Sequence, residues 1–246
     1  MSIIKKWFYT FLLWLHRQKI GGAQLLIEFF FDSDIPGNGG DNFRKLVKYR
    51  QIEIPFNNPP RKYQVTGDSI IHLGEKFFED EGIVCSAIGG DRTDTLLDRL
   101  EKNVLPYFST IIMIDIGGND LLWGDEPDIV FKRIQRISDR LKQAGARRVG
   151  FYDILPLGNP DDTTEPLIKE HADLLRHVNF TQAPVLNRLM QQSPKIEVIP
   201  VRGLLEGADG WIKPEYSMSD KIHVLPKAYS DVYIPQTKLY IQRSSL

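Results

Sequence analysis

Residues 110–120 read Thr110-Ile111-Ile112-Met113-Ile114-Asp115-Ile116-Gly117-Gly118-Asn119-Asp120. The isoleucine-rich run is short and apolar throughout, without polar alternation. That is how a strand buried on both faces of a parallel sheet reads. The two glycines end it. Working outward, the same pattern recurs on both sides. Strands are expected at 63–66, 83–88, 148–155 and 196–201. Helices are expected at 70–81, 92–103, 127–144 and, for the most part, 165–192, with a closing helix at 227–241 bent at Pro235. In the helix 127–144, Ile129, Val130, Ile134, Ile137 and Leu141 recur at helical spacing. Five continuous apolar strands alternating with amphipathic helices predict an α/β fold, its sheet parallel and covered on both faces. No internal repeat is visible.

Composition narrows the function classes. Lys plus Arg number 31 against 32 Asp plus Glu, a net charge of -1, so nothing points to nucleic acid. Cys85 is the only cysteine, which excludes an intramolecular disulfide and a cysteine-rich metal site. Its apolar setting predicts a core thiol. Neither a metal nor a cofactor is expected. The stretch Asp34-Ile35-Pro36-Gly37-Asn38-Gly39-Gly40-Asp41 lacks Gly-Lys-Ser/Thr and is no P-loop.

The first 60 residues stand apart as an N-terminal extension, closed by Asn57-Asn58-Pro59-Pro60, with a domain over 61–246. Lys5-Lys6 precede an aromatic run through Trp7, Phe8 and Trp14, too short to span a bilayer of about 20 residues. Three readings stand for it. It is a peripheral membrane contact through residues 3–15, a helix packed on the domain or a second chain, or an uncleaved signal-anchor. The first two leave the protein cytoplasmic or membrane-associated, and the third exports it. Oligomeric state is left open.

Four separated segments carry candidate chemistry: Gly67-Asp68-Ser69, Gly89-Gly90-Asp91, Gly117-Gly118-Asn119-Asp120 and Asp220-Lys221-Ile222-His223. All lie at or near the carboxyl edge of the expected sheet, where such folds place their sites. Ser69 follows the first strand as the chain turns into a helix. A serine hydroxyl needs a base, and His223, with Asp220 three residues earlier, is the best candidate. His16, His72, His171 and His177 lack such a partner. A tetrahedral intermediate needs preorganised donors, which the N–H groups of Ser69 and Gly90 and the Asn119 amide could supply. Asp68 and Asp120 are expected to hold the loops. Singly, each segment has a bland reading: a surface Asp-His pair, an ordinary glycine turn, a helix cap at Asn119. Jointly they describe acyl transfer from an ester.

These segments resemble the blocks of the SGNH hydrolase superfamily, the GDSL esterases and lipases. Gly67-Asp68-Ser69 is similar to the nucleophile block, with Ile70 where the name motif has leucine. Gly90 is similar to the oxyanion glycine, Gly117-Gly118-Asn119-Asp120 to the Gly-x-Asn-Asp block, and Asp220 and His223 to the final Asp-x-x-His block. Ala228 stands where many members have glycine. The resemblance spans about residues 62–235 and leaves the extension unexplained. It implies a flavodoxin-like three-layer α/β/α sandwich and a metal-free serine esterase with catalytic Ser69, His223 and Asp220.

The leading expectation is a serine ester hydrolase acting on a small-molecule, lipid or carbohydrate ester. One alternative is an acyltransferase or deacetylase on O-acylated carbohydrate, using the same residues. Another, of a different class, is a non-catalytic membrane-tethered binding module. Residues 157–166 and 203–219 are expected to shape the pocket, the latter with Trp211 and Tyr216 either stacking on substrate or covering the core.

Overall fold

The computed structural model describes residues 62–243. The N-terminal extension, its aromatic run and the boundary at residue 60 lie outside the described residues. Five strands form one sheet: β1 (Tyr63–Gly67), β2 (Val84–Cys85), β3 (Ile111–Asp115), β4 (Arg148–Tyr152) and β5 (Glu197–Ile199). Their order is β2-β1-β3-β4-β5, and every neighbouring pair is parallel. This is the doubly wound flavodoxin-like order, whose direction of winding reverses between β1 and β3.

The two faces follow the period-two alternation of strand side chains. Ile112 and Ile114 of β3 point to one side with Val149 and Phe151 of β4. There they meet Leu96, Val130, Ile134, Ile137, Leu141, Leu186 and Met190 from the covering helices. Ile111 and Met113 point to the other side with Val65, Tyr152 and Ile199, against Ile71, Phe78, Tyr229, Tyr233 and Tyr240. The expected helix 127–144 forms as Pro127–Gln143, with its first proline at a position that needs no N–H.

Other expected elements are shorter or interrupted. The helix expected at 70–81 forms as Ser69–Leu73 and Glu75–Glu79, divided at Gly74. A side chain there would strike the Tyr229 ring, whose nearest atom lies 2.4 Å from an ideal Cβ. The strand expected at 83–88 pairs only at Val84–Cys85, though Ser86 and Ile88 still donate to the Val65 and Gly67 carbonyls of β1.

Three helical runs contain a widened turn: Leu100–Val104, Val178–Gln182 and Tyr229–Tyr233. In each, the residue that closes the turn donates to the carbonyl five residues back. These donors are Leu105, Ala183 and Ile234. Each is followed by a proline: Pro106, Pro184 and Pro235. A proline has no N–H for the carbonyl four residues earlier, and its ring crowds that carbonyl. The turn before it opens to the wider spacing. The bend expected at Pro235 is therefore a widened turn just ahead of it, and the long helix expected at 165–192 is broken once, at His171, and bulged once.

Candidate active site

Two of the four segments leave adjacent strands at the winding reversal. β1 ends at Gly67, and Ser69 is the first residue of the helix Ser69–Leu73. β3 ends at Asp115, and Asn119 lies in the first turn of the helix Gly118–Leu122. Gly67 makes this junction possible. Its φ is +142°, and a Cβ would lie 2.0 Å from the Asp115 carbonyl oxygen, so only glycine lets the two strand ends close up. The Asp68 N–H then donates to that same carbonyl at 3.1 Å. The Asp68 carboxylate caps the helix, accepting from the Ile70 N–H at 2.9 Å.

The last segment arrives from far along the chain. Lys221 has a φ of 62°, and this turn brings Asp220 Oδ1 back onto the N–H groups of Ile222 (3.0 Å) and His223 (2.9 Å). The Lys221 carbonyl accepts from the Gly158 N–H at 2.8 Å, which pins the loop to the chain beyond β4. Asp220 Oδ2 lies 2.6 Å from His223 Nδ1, and His223 Nε2 lies 2.8 Å from Ser69 Oγ. Burial would raise the Asp220 carboxyl, but the hydrogen bond and charge of His223 and the two N–H donors bring it down to about 2. A carboxylate held ionised can only accept. Nδ1 therefore carries a proton, and in the neutral form of the ring Nε2 is the nitrogen that accepts from the Ser69 hydroxyl.

On the other side of Ser69, the turn Ile88–Asp91 is closed by Asp91 N–H donating to the Ile88 carbonyl at 3.2 Å. Gly90 takes a φ of +78° with open space around it, so backbone conformation rather than crowding calls for glycine. Asn119 Nδ2 donates one hydrogen to the Asp91 carbonyl at 2.9 Å. An amide nitrogen carries two. Gly117, with φ +115°, is the residue that caps this helix, so Asn119 is no helix cap. A cleft of about 460 Å³, mouth included, opens beside Ser69 and Asn119, with apolar walls from Leu122, Leu157, Val178 and Ile222.

Residues 67–230 match the GDSL-like Lipase/Acylhydrolase family, more than half of the chain. The chain belongs to this family. Membership places the GDSL-like domain among hydrolases that act on ester bonds. Solved structures share its fold. A GDSL-like lipase of Bacteroides thetaiotaomicron matches with a TM-score of 0.64 at 18% identity, covering 83% of this chain and 98% of that one. A Streptococcus pneumonia protein whose description names platelet activating factor matches at 0.63 and 19%, covering 87% and 98%. An acetyl xylan esterase matches at 0.50 and 17%, covering 73% and 98%. A carboxy-S-adenosyl-L-methionine synthase of Shewanella denitrificans is 28% identical over 112 residues, so the chain spans only 46% of that curated relative's length.

Beneath the GDSL-like site lies a buried layer of three acids, of which motif reading singled out Asp68 and Asp120 and missed Asp115. Asp115 sits wholly inside, accepting from the Tyr233 hydroxyl at 2.8 Å. Burial pushes it up to about 7, against the lowering effect of the Tyr233 bond and with help from the charge of Asp153. Asp68, also buried, is pushed up by burial and then by the charge of Asp115. The available signal was an acid inside an isoleucine run. Asp120 is buried too. It accepts from the Thr93 N–H (3.0 Å), the Thr93 hydroxyl (2.5 Å) and Arg133 (3.3 Å). It thus ties the chain after the glycine turn to the helix of Asn119. Burial raises it to about 6 despite those bonds.

Asp115 makes stability depend on pH. A carboxyl held at about 7 when folded and near 3.8 when unfolded takes up a proton on folding. Its favourable contribution is complete below about pH 4 and is lost as pH rises through 7. Relative to Asp115→Asn, the wild type should lose stability steadily as pH rises from 4 to 8, because its folded-state carboxyl is held above its unfolded value. Urea unfolding of both proteins across that range checks it. Parallel stability curves would refute it.

Other expectations are corrected or refined. Trp211 is buried, edge-on to Phe180 with centroids 4.6 Å apart, and covers the core. Tyr216 lies under the Lys227 ammonium, 5.3 Å from the ring centre. Neither lines the cleft, and of the two stretches expected to shape it only Leu157 does so. Cys85 is partly buried against the core, and burial raises its thiol to about 12, unlike a reactive thiolate. Among the described residues no cluster of three or more His, Cys, Asp or Glu could hold a metal ion, and no helix is long and apolar enough to cross a membrane.

Proposed function

We propose that this domain is a serine esterase in which Ser69 is the nucleophile, His223 the general base and then acid, and Asp220 the group that orients and charges against the imidazole. The observation that carries the reading is the unbroken chain Ser69 Oγ to His223 Nε2 (2.8 Å) and His223 Nδ1 to Asp220 Oδ2 (2.6 Å). As Ser69 Oγ bonds to the acyl carbon, its proton passes to Nε2 and the carbonyl electrons move onto oxygen. The N–H groups of Ser69 and Gly90 and the second hydrogen of the Asn119 amide stabilise that oxyanion. The intermediate collapses, the alcohol leaves with the proton from His223, and an acyl-serine remains. Water repeats the sequence, yielding the acid and free Ser69. Asp68 caps the nucleophile's helix and Asp120 anchors Thr93; neither takes part in the proton transfers.

The cleft supports short acyl groups. Its lining includes Ile154, Leu155, Leu157 and Val178, all buried in the core, so a long chain would have to displace packed side chains to be taken in whole. With p-nitrophenyl esters, acetate through butyrate should be favoured over octanoate by at least about tenfold in kcat/KM, the size of a single misfitting methylene. A p-nitrophenyl phosphonate should inactivate the enzyme with one adduct, found by peptide mass spectrometry on Ser69. An adduct elsewhere, or full activity after exposure, would overturn the serine assignment.

A further inference from the structure

Arg99 belongs to none of the four segments, yet its side chain ties two of them together. It lies on the inner face of the helix Thr93–Arg99, beside Leu96 and Leu100, and is 5% exposed. A buried guanidinium is unfavourable unless its N–H groups find acceptors. Here they do so on two different loops. Nε donates to Asp91 Oδ2 at 2.5 Å, and Nη1 donates to the Ser86 carbonyl at 2.9 Å. Nη2 faces the Gly67 carbonyl and the Thr66 hydroxyl, each at 3.3 Å. Gly67 is two residues before Ser69, and Asp91 directly follows Gly90.

Asp91 extends the linkage. Its Oδ1 accepts from the Thr95 hydroxyl at 3.0 Å, and its backbone carbonyl accepts from Asn119 Nδ2 at 2.9 Å. One continuous path therefore runs from the nucleophile's strand end through Arg99 to Asp91, and on to the Asn119 amide. The three groups assigned above to the oxyanion come from the three loops that this path joins.

We infer that Arg99 is a positioning residue for the oxyanion hole. Its planar fork sets the spacing of the Gly90 turn and the Asn119 amide from Ser69, so that three donors converge on one oxygen. The inference rests on the roles proposed above for Ser69, Gly90 and Asn119. A lysine could keep the charge beside Asp91 but cannot span carbonyls on both loops. Donor placement matters most when charge has developed on the carbonyl oxygen. Loosening the clamp should therefore act on kcat and leave KM nearly unchanged.

Two variants test this. Arg99→Met combined with Asp91→Asn removes both charges and strands neither, and Arg99→Lys keeps one. Both are compared with wild type and with Ser69→Ala on p-nitrophenyl acetate, at a temperature where circular dichroism shows each folded. The pair variant should lose about ten- to a hundredfold in kcat with KM within about threefold, the scale of a small misplacement. Its phosphonylation rate, which also builds negative charge on an oxygen in the hole, should fall in parallel. Arg99→Lys should fall between it and wild type, and it carries the test alone if the pair variant does not fold. A folded variant with wild-type kcat, or a loss confined to KM, would overturn the clamp. Wild-type activity in Ser69→Ala would instead overturn the serine mechanism on which it rests.

Discussion

Ser69→Ala is expected to lower kcat/KM for a short-chain ester about ten-thousandfold, or about 5 kcal/mol of transition-state stabilisation. In the proposed mechanism the Ser69 side chain contributes the only protein atom that bonds to the acyl carbon. Without Oγ the acyl-enzyme route is closed, and what survives is direct attack by water assisted by the remaining donors. The members of such a unit are not additive. Adding His223→Ala to Ser69→Ala should therefore cost little more, because the base has nothing left to deprotonate. Among the described residues the Ser69 side chain bonds to His223 and is only half-buried, so the fold should survive its loss. Steady-state assays of the two single variants and the double variant check this. Wild-type turnover in Ser69→Ala, or a double variant far slower than either single, would contradict the mechanism.

Asn119→Ala should lower kcat about a hundred- to a thousandfold, with KM little changed. The argument lies in how the amide is held. One hydrogen is committed to the Asp91 carbonyl at 2.9 Å, which fixes the side-chain orientation before substrate arrives. In the proposed mechanism the other needs no reorganisation when the carbonyl becomes an oxyanion. Asn119→Asp should be at least as damaging, since it keeps the shape but sets an acceptor where a donor is needed. Either change also leaves the Asp91 carbonyl without this partner, worth about 1 kcal/mol of stability. Paired kcat and unfolding measurements separate the two effects. Full kcat in a folded Asn119→Ala would remove Asn119 from the oxyanion hole.

Much of the fold was legible because buried strands and amphipathic helices write short-range periodicities into the chain. The run through Ile112 and Ile114 and the spacing of Val130, Ile134, Ile137 and Leu141 needed no knowledge of their neighbours. Element ends were less legible. The widened turns before Pro106, Pro184 and Pro235 are local in cause, but a proline in a helical pattern can kink, end or bulge it, and packing selects among these. Gly74 reads as an ordinary breaker until Tyr229, far along the chain, is seen to fill its place.

The site divides the same way. Ser69, Gly90, Asn119, Asp220 and His223 stood out because each lies in a short segment whose residue types announce a role. Arg99 and Asp115 did not, because each sits inside a regular element, where a charged residue looks like an irregularity in the pattern. Arg99 occupies an inward position beside Leu96 and Leu100, and its worth appears only when Gly67 and Ser86 are brought beneath it. Asp115 meets its partner Tyr233 across 118 residues of chain.

By itself the sequence determined the element types, the sheet's parallel character and the residues proposed here for acyl transfer, all properties of neighbours along the chain. Tertiary structure alone decided the strand order that sets Ser69 beside Asn119, the lining of the cleft, and the buried ion pair joining the loops. These are contacts between distant residues, selected by close packing and by the need of every buried charge for a partner.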